Sequence, residues 1–221
     1  MSLSVLTWNL FHGRAVPPAG RDLFEEFAGA LAGWAWDVAL LQEVPPWWPG
    51  PLAERAGADQ RFVLTSRNAL PAARRFVAIR WPDLIKSNGG GANAILVRDL
   101  GIDEHRRLLL GRWPERRWMH ALRLGNGVWA GNLHTEARTD QGQLAADTLR
   151  SWAGGSPAVL GGDFNVADVP LPGFVRAGGV GVDQVLVRGL EGEGVSVLDR
   201  HSLSDHAPLL VSVVRNARYA C

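Results

Sequence analysis

Asp37-Val38-Ala39-Leu40-Leu41-Gln42-Glu43 is a continuously apolar run that closes on a carboxamide and a carboxylate. A short run without polar alternation reads as a strand buried on both faces. The segment before it, Arg21 to Trp36, has apolar residues at Leu23, Phe27, Ala30, Leu31 and Trp34. That spacing is close to 3.6 residues and predicts a helix. A helix leading into a strand that needs cover on both sides points to a layered α/β architecture.

The same pattern extends in both directions. Ser4-Val-Leu-Thr-Trp8 reads as a first strand ending at Asn9. Arg61–Thr65, Phe76–Arg80, Ala94–Arg98, Arg106–Leu110, Trp118–Leu124 and Val128–Leu133 read as further strands. Thr139–Trp152 reads as a second helix, with Thr139 or Asp140 as its cap, and strands follow at Ala158–Leu160, Val182–Val187 and Pro208–Val214. No repeat, low-complexity run or long linker divides the chain, so residues 1–221 are expected to form one domain. Many strands with few helices interleaved among them suggest two stacked sheets with helices outside.

With 47% hydrophobic and 20% charged residues, the 221-residue chain can bury a large core, which excludes a disordered chain. Lys and Arg total 23 against 22 Asp and Glu, so no global field advertises a polyanionic partner. Cys221 is the only cysteine, so no internal disulfide supports the fold. Asn9, His12 and Arg14 interrupt any N-terminal apolar run, and no stretch is long enough to span a membrane. The expected location is cytoplasmic, with a monomer as the default state.

Five polar clusters each follow a predicted apolar strand. They are Asn9; Glu43; Asn132 with His134; Asp163 with Asn165; and Asp205 with His206, just before the last strand. Strand ends are where loops converge on a rigid scaffold. Singly, these residues have structural uses as turn caps or solvated side chains. Jointly, carboxylates, carboxamides and two imidazoles suit an oxygen-liganded divalent cation beside an acid–base pair. Such donors select Mg²⁺, Mn²⁺ or Ca²⁺, whereas Zn²⁺ would want more His or Cys.

The order of these motifs resembles the endonuclease/exonuclease/phosphatase superfamily, the deoxyribonuclease I-like fold. Thr7-Trp8-Asn9, Leu41-Gln42-Glu43, Gly162-Asp163-Phe164-Asn165 and Ser204-Asp205-His206-Ala207-Pro208-Leu209 match its motifs. Gly91-Ala92-Asn93-Ala94-Ile95-Leu96 is a near match, and Asn132-Leu133-His134 has Thr135 where Leu is usual. Asp183, in Val182-Asp183-Gln184-Val185-Leu186, takes the place of the family's penultimate Asp. The resemblance covers residues 5 to 213. It implies a four-layered α/β sandwich of two packed mixed sheets flanked by helices, and phosphoester hydrolysis with Mg²⁺ or Mn²⁺. It further implies Glu43 as main metal ligand with Asn9 and Asp205 nearby. Asp163 and Asn165 would orient water or phosphate oxygens, His206 paired with Asp183 would touch the phosphate, and His134 would protonate the leaving oxygen. Asn132 and Arg117 are the expected substrate contacts.

The substrate is less legible. The chain lacks the Tyr that abasic-site endonucleases have near His134 and the Trp-Cys-Asp-Arg run of inositol phosphatases. Nucleic acid is the favoured substrate, because Arg112, Arg116, Arg117 and Arg123 precede His134 and Trp47-Trp48 follows Glu43. Arg74, Arg75 and Arg80 form a second basic cluster. A lipid head group or small phosphodiester is the alternative, and a non-catalytic phosphate-binding module is the rival of another class. Trp47-Trp48 is read as either a rim platform or loop packing.

Overall fold

The structure, a computed structural model, describes residues 2–65, 68–168 and 170–216, apart from the Lys86 side chain; Cys221 lies outside the described residues. Its elements in chain order are β1 (Ser2–Asn9), α1 (Phe24–Gly33), β2 (Val38–Val44), α2 (Pro49–Ala56), β3 (Asp59–Leu64), α3 (Pro71–Arg80) and α4 (Pro82–Ile85). β4 (Ala92–Val97), β5 (Ile102–Gly111), β6 (Arg117–Leu124), β7 (Trp129–His134), α5 (Thr139–Ala153) and β8 (Ala158–Asp163) follow. The chain closes with β9 (Val175–Val180), β10 (Asp183–Arg188), β11 (Leu190–Val197) and β12 (Leu209–Arg215).

The strands form two six-stranded mixed sheets, ordered β11-β12-β1-β2-β4-β3 and β5-β6-β7-β8-β10-β9. In each sheet one central pair is parallel, β1 with β2 and β7 with β8. Alternation assigns the faces. Val5, Val38, Leu40, Ile95, Leu122, Ala130, Val159, Val185 and Val211 meet between the sheets. The residues between them in sequence face outward. Leu6, Trp8, Ala39 and Leu41 pack under α1 and α2, and Leu133, Leu160 and Leu186 pack under α5. The result is the expected four-layered α/β sandwich.

Two glycines let the layers close. A Cβ on Gly161 would lie 2.7 Å from Leu40 Cδ1 on the facing sheet. One on Gly162, at φ 141°, would overlap the Leu133 carbonyl of β7. Gly-Gly before Asp163 is therefore a packing requirement as well as a motif.

Several local expectations change. Phe76–Arg80 is the second half of α3, not a strand. Pro71 starts this helix, Ala72 and Ala73 favour it, and none of its residues is buried. Neither Thr139 nor Asp140 caps α5: both lie inside the helix, Arg138 is the cap residue, and its side chain pairs with Asp140. The edge strands β9 and β11 and the helix α2 were not foreseen from the sequence.

Candidate active site

The inward-facing positions of four strands run from apolar to polar at one end of the sandwich. On β1 the inner series is Leu3, Val5, Thr7, Asn9; on β7 it passes through Ala130 and Asn132 to His134; on β8 it ends at Asp163. β10 runs antiparallel to β8, which sets Asp183 opposite Asp163. The inter-sheet core thus ends in a rim of polar side chains from both sheets. Glu43 gets there differently. By alternation it would face outward, but the β2–β4 register shifts between Leu41 and Val44, and Glu43 adopts φ 49°. This bulge re-aims the carboxylate to the rim.

Asp163 is the hub. Its Oδ2 accepts from Asn9 Nδ2 at 3.0 Å and lies 3.5 Å from His134 Nε2 and 3.8 Å from His206 Nε2. Its Oδ1 accepts the Asn165 backbone N–H at 2.9 Å, while the Asn165 carboxamide donates to the Thr135 carbonyl at 2.8 Å. Ser204 holds the last loop in place. Its hydroxyl donates to the Asn9 carbonyl at 2.6 Å and accepts the His206 backbone N–H at 3.0 Å. Trp8 Nε1 donates to the His206 carbonyl at 3.0 Å, so the loop is fixed to β1 from two sides.

His206 Nδ1 lies 2.7 Å from Asp183 Oδ2. Burial pulls the His206 pKa down, but the Asp183 hydrogen bond and charge, with Asp163 and Asp205 behind them, push it up to about 9. His206 is therefore an imidazolium at neutral pH. His134 is the opposite case: full burial, together with the Arg117 charge, lowers its pKa to about 3. It is a neutral ring. Burial raises the Glu43 pKa, yet the hydrogen bond and charge of His12, with His134 and Asn9, bring it to about 2. Burial raises both Asp163 and Asp183.

The structure brings Asn9, Glu43, His134, Asp163, Asn165, Asp183, Asp205 and His206 to this rim. Asp205 is the outermost, 43% exposed in its side chain, with Oδ1 3.9 Å from His206 Nε2. Arg117 pairs with Glu115 at 3.2 Å, close enough to depress His134. Asn132 is different. It is fully buried beneath the rim, where its amide donates to the Leu41 and Ala94 carbonyls at 2.9 Å each and its oxygen accepts Gln42 Nε2 at 2.8 Å. It closes the gap that the β2 bulge opens in the ladder. It cannot reach a substrate, so its expected contact becomes a structural bridge. His12 is a rim residue that sequence reasoning passed over, with Nε2 3.0 Å from Glu43 Oε2. Its position three residues after Asn9 was the available signal.

The donor set fits a hard divalent cation. Glu43 stays ionised at neutral pH. Asp163 and Asp183 belong to a cluster with His206 whose nearest ligand atoms lie within 4.8 Å of one another, and the buried Asp183 Oδ1 has no hydrogen-bond partner among the described residues. The oxygens of the two carboxylates are the donors, since the His206 ring holds a proton on both nitrogens.

Around the rim, the predicted arginine stretch splits. Arg106 stacks near Trp129 and Trp152 and pairs with Glu104, and Arg123 lies opposite Trp129, at the far end of β7 from His134. Arg112, Arg116 and Arg117 belong to the β5–β6 hairpin, and Met119 opposite Leu133 puts the hairpin tip beyond His134. Trp113 at that tip is 87% exposed. The two tryptophans after Glu43 divide as well. Trp48 is buried against Phe24 and Phe27 and forms the inner wall of a cleft that Trp47 lines with His12, Gly89 and Gly90.

The model of the Endonuclease/Exonuclease/phosphatase family matches residues 6–206. No curated protein sequence matches the chain. Among solved structures, an endonuclease/exonuclease/phosphatase from Beutenbergia cavernae superposes with TM-score 0.71 at 19% identity, covering 97% of this chain and 72% of its own. D. rerio TDP2 complexed with single-strand DNA product gives 0.70 at 15% identity, covering 96% and 99%. A mannosyl-6-phosphatase from Bacteroides thetaiotaomicron gives 0.68 at 16%, covering 96% and 99%. At these identities the likeness is one of fold.

Proposed function

The chain belongs to the endonuclease/exonuclease/phosphatase family of phosphoester hydrolases, and on that premise we propose that it is a divalent-metal-dependent phosphodiesterase acting on nucleic acid. The observation that carries the nucleic-acid reading is the β5–β6 hairpin, which extends past His134 and carries Arg112, Trp113, Arg116 and Arg117. Arginine forks track a phosphate backbone, and an exposed indole stacks on bases without regard to sequence. The DNA-product complex of a protein with the same fold supports this choice.

Glu43 would hold the cation with Asn9 and Asp205, and with Asp163 nearby. When bound, the cation neutralises non-bridging phosphate oxygens and activates water. The remaining work falls to this chain's own groups. His206 is cationic and can bind a phosphate oxygen or stabilise the charge that develops on it, with Asp183 fixing its ring. Asp163, whose pKa burial raises, is placed to orient or deprotonate a water, and Asn165 shapes that corner. His134 enters neutral and, with Nε2 3.5 Å from Asp163 Oδ2, would contact the substrate by hydrogen bonding. The leaving oxygen's proton would then come from a group other than His134, and His206 is the imidazole that holds one.

A second reading rests on α3 and α4. Leu70, Phe76, Trp81 and Leu84 are exposed by 77, 66, 48 and 73%, beside Arg74, Arg75 and Arg80. Apolar groups with arginines on a short helix suit a lipid surface, and a lipid phosphodiester would follow. The test is a panel of single-stranded DNA, duplex DNA, RNA and phospholipid vesicles with Mg²⁺ or Mn²⁺. Nucleic-acid cleavage that fades steeply with salt supports the first reading. Head-group hydrolysis with nucleic acids untouched replaces it with the second.

A further inference from the structure

His12 lies in the loop after β1 and points at Glu43, with Nε2 3.0 Å from Oε2. Its other ring nitrogen, Nδ1, lies 3.2 Å from the Gly90 carbonyl oxygen. A carbonyl only accepts, so Nδ1 carries the hydrogen. In the neutral ring Nε2 then presents a lone pair to a carboxylate oxygen, which is also only an acceptor. Two acceptors at 3.0 Å require something positive between or beside them: the His12 charge that depresses Glu43 in the metal-free chain, or a cation that takes its place. Imidazoles that ligate metals characteristically donate their far N–H to a backbone carbonyl, which fixes tautomer and ring plane.

The surroundings hold the ring in this pose. Phe11 and His12 both take positive φ, 49° and 55°. A Cβ on Gly13 would lie 2.4 Å from Trp48 Cη2, and one on Gly91 would lie 2.8 Å from Thr65 Oγ1 and 3.5 Å from His12 Cε1. Strain at consecutive non-glycine residues persists where the structure over-determines it, and it clusters at ligand sites. A cleft lined by His12, Trp47, Gly89 and Gly90 opens at the ring.

We propose that His12 Nε2 is a ligand of the cation held by Glu43, giving the site a mixed imidazole–carboxylate donor set that prefers Mn²⁺ to Mg²⁺. This rests on the metal-dependent reading above. Imidazole donors suit transition metals, whereas Mg²⁺ keeps to oxygen and water.

The test binds Mn²⁺ alone to the full chain. Calorimetry gives the affinities, and pulsed electron paramagnetic resonance reads ¹⁴N coupling to the bound ion. The proposal expects ¹⁴N coupling in the wild type that is absent in His12→Gln while one Mn²⁺ still binds. Mn²⁺ affinity should fall by about 10–100-fold and Mg²⁺ affinity by less. His12→Asn serves as a second variant, because Asn tolerates positive φ. If Glu43→Gln abolishes Mn²⁺ binding but the wild type shows no ¹⁴N coupling, or coupling survives in both His12 variants, the His12 assignment is overturned and the metal-dependent reading stands. If Mn²⁺ binding is unaffected by Glu43→Gln, the Glu43–His12 site is overturned; if the wild type binds no Mn²⁺ at all, the metal-dependent reading falls with it.

Discussion

Asn132→Ala separates a structural bridge from a substrate contact. The side chain makes three buried hydrogen bonds, to the Leu41 and Ala94 carbonyls and from Gln42 Nε2. Removing it deletes three interactions of roughly 1 kcal/mol each, and each group left unsatisfied in the core adds to the cost. Gln42 Nε2 also donates to the Leu40 carbonyl at 2.9 Å, so its loss is partial. The expected destabilisation is about 3–5 kcal/mol. That is a large fraction of a typical domain's stability, and it corresponds to a fall in Tm on the order of 10 °C for a chain of this size. Urea and thermal unfolding measure the loss, and kcat and KM measured well below the new Tm complete the assay. The reasoning expects KM to stay within about twofold, because the amide lies beneath the rim. Stability unchanged within about 1 kcal/mol, together with a KM raised tenfold or more, would show that Asn132 contacts substrate and that the bridge has been misread.

Asp183→Asn should return the His206 pKa from about 9 toward or below 6.5, read by NMR of the His206 ring in metal-free protein. A raised folded-state pKa stabilises fully below about pH 6.5 and loses that contribution as pH rises through about 9, so the variant's stability should vary less across that window. His206→Ala should lower kcat by ~10² or more through lost acid–base assistance, His134→Ala should lower kcat/KM through lost hydrogen bonding to the substrate, and the double variant should fall well short of the product of the two. Full additivity would separate their roles. Excess EDTA should abolish turnover, as should Glu43→Gln, with the far-ultraviolet spectrum unchanged; activity retained in EDTA would remove the metal from the mechanism. Trp113→Ala with Arg112→Ala should weaken single-stranded DNA binding and reduce its salt slope by about one. An unchanged slope would place the DNA elsewhere.

How much of this was legible along the chain depended on how local the physics is. Val38 to Leu41 is apolar at every position because layers press on both faces, and that shows without knowing which layers. Asn9, Glu43 and Asp163 showed for a related reason: a polar residue at the end of such a run sits where the sheet leaves the core, and His206 sits where the chain re-enters it just before β12. The Gly-rich strands β9 and β11 were hidden because small residues there serve the facing sheet. A Cβ on Gly178 would lie 2.7 Å from Val211 and 3.0 Å from Val195, a constraint absent from strand propensity. Phe76–Arg80 reads as a strand in sequence because five apolar and basic residues, none of them buried, carry no clear period.

The sequence by itself determined the two-sheet architecture, the polar ends of β1, β2, β7 and β8 and the chemical kind of the site, because alternation and the order of polar ends are properties of the chain. Only the tertiary structure decided what each of those polar residues does. Asn132 and His134 are two positions apart on one strand and share a face, yet one bridges the sheets and the other reaches the rim. Their fates differ by one step of the pleat relative to the β2 bulge. His12 meets Glu43 only because β1 and β2 lie side by side, Glu43 turns at a positive φ, and Gly90 takes the hydrogen of the other ring nitrogen. The two imidazoles expected to act as a pair diverge for a similar reason. His206 has Asp183 at 2.7 Å, whereas His134 is buried with the Arg117 charge nearby, so one holds a proton and the other releases it. A residue's type is written in the sequence, but its protonation state is set by neighbours that lie far away along the chain.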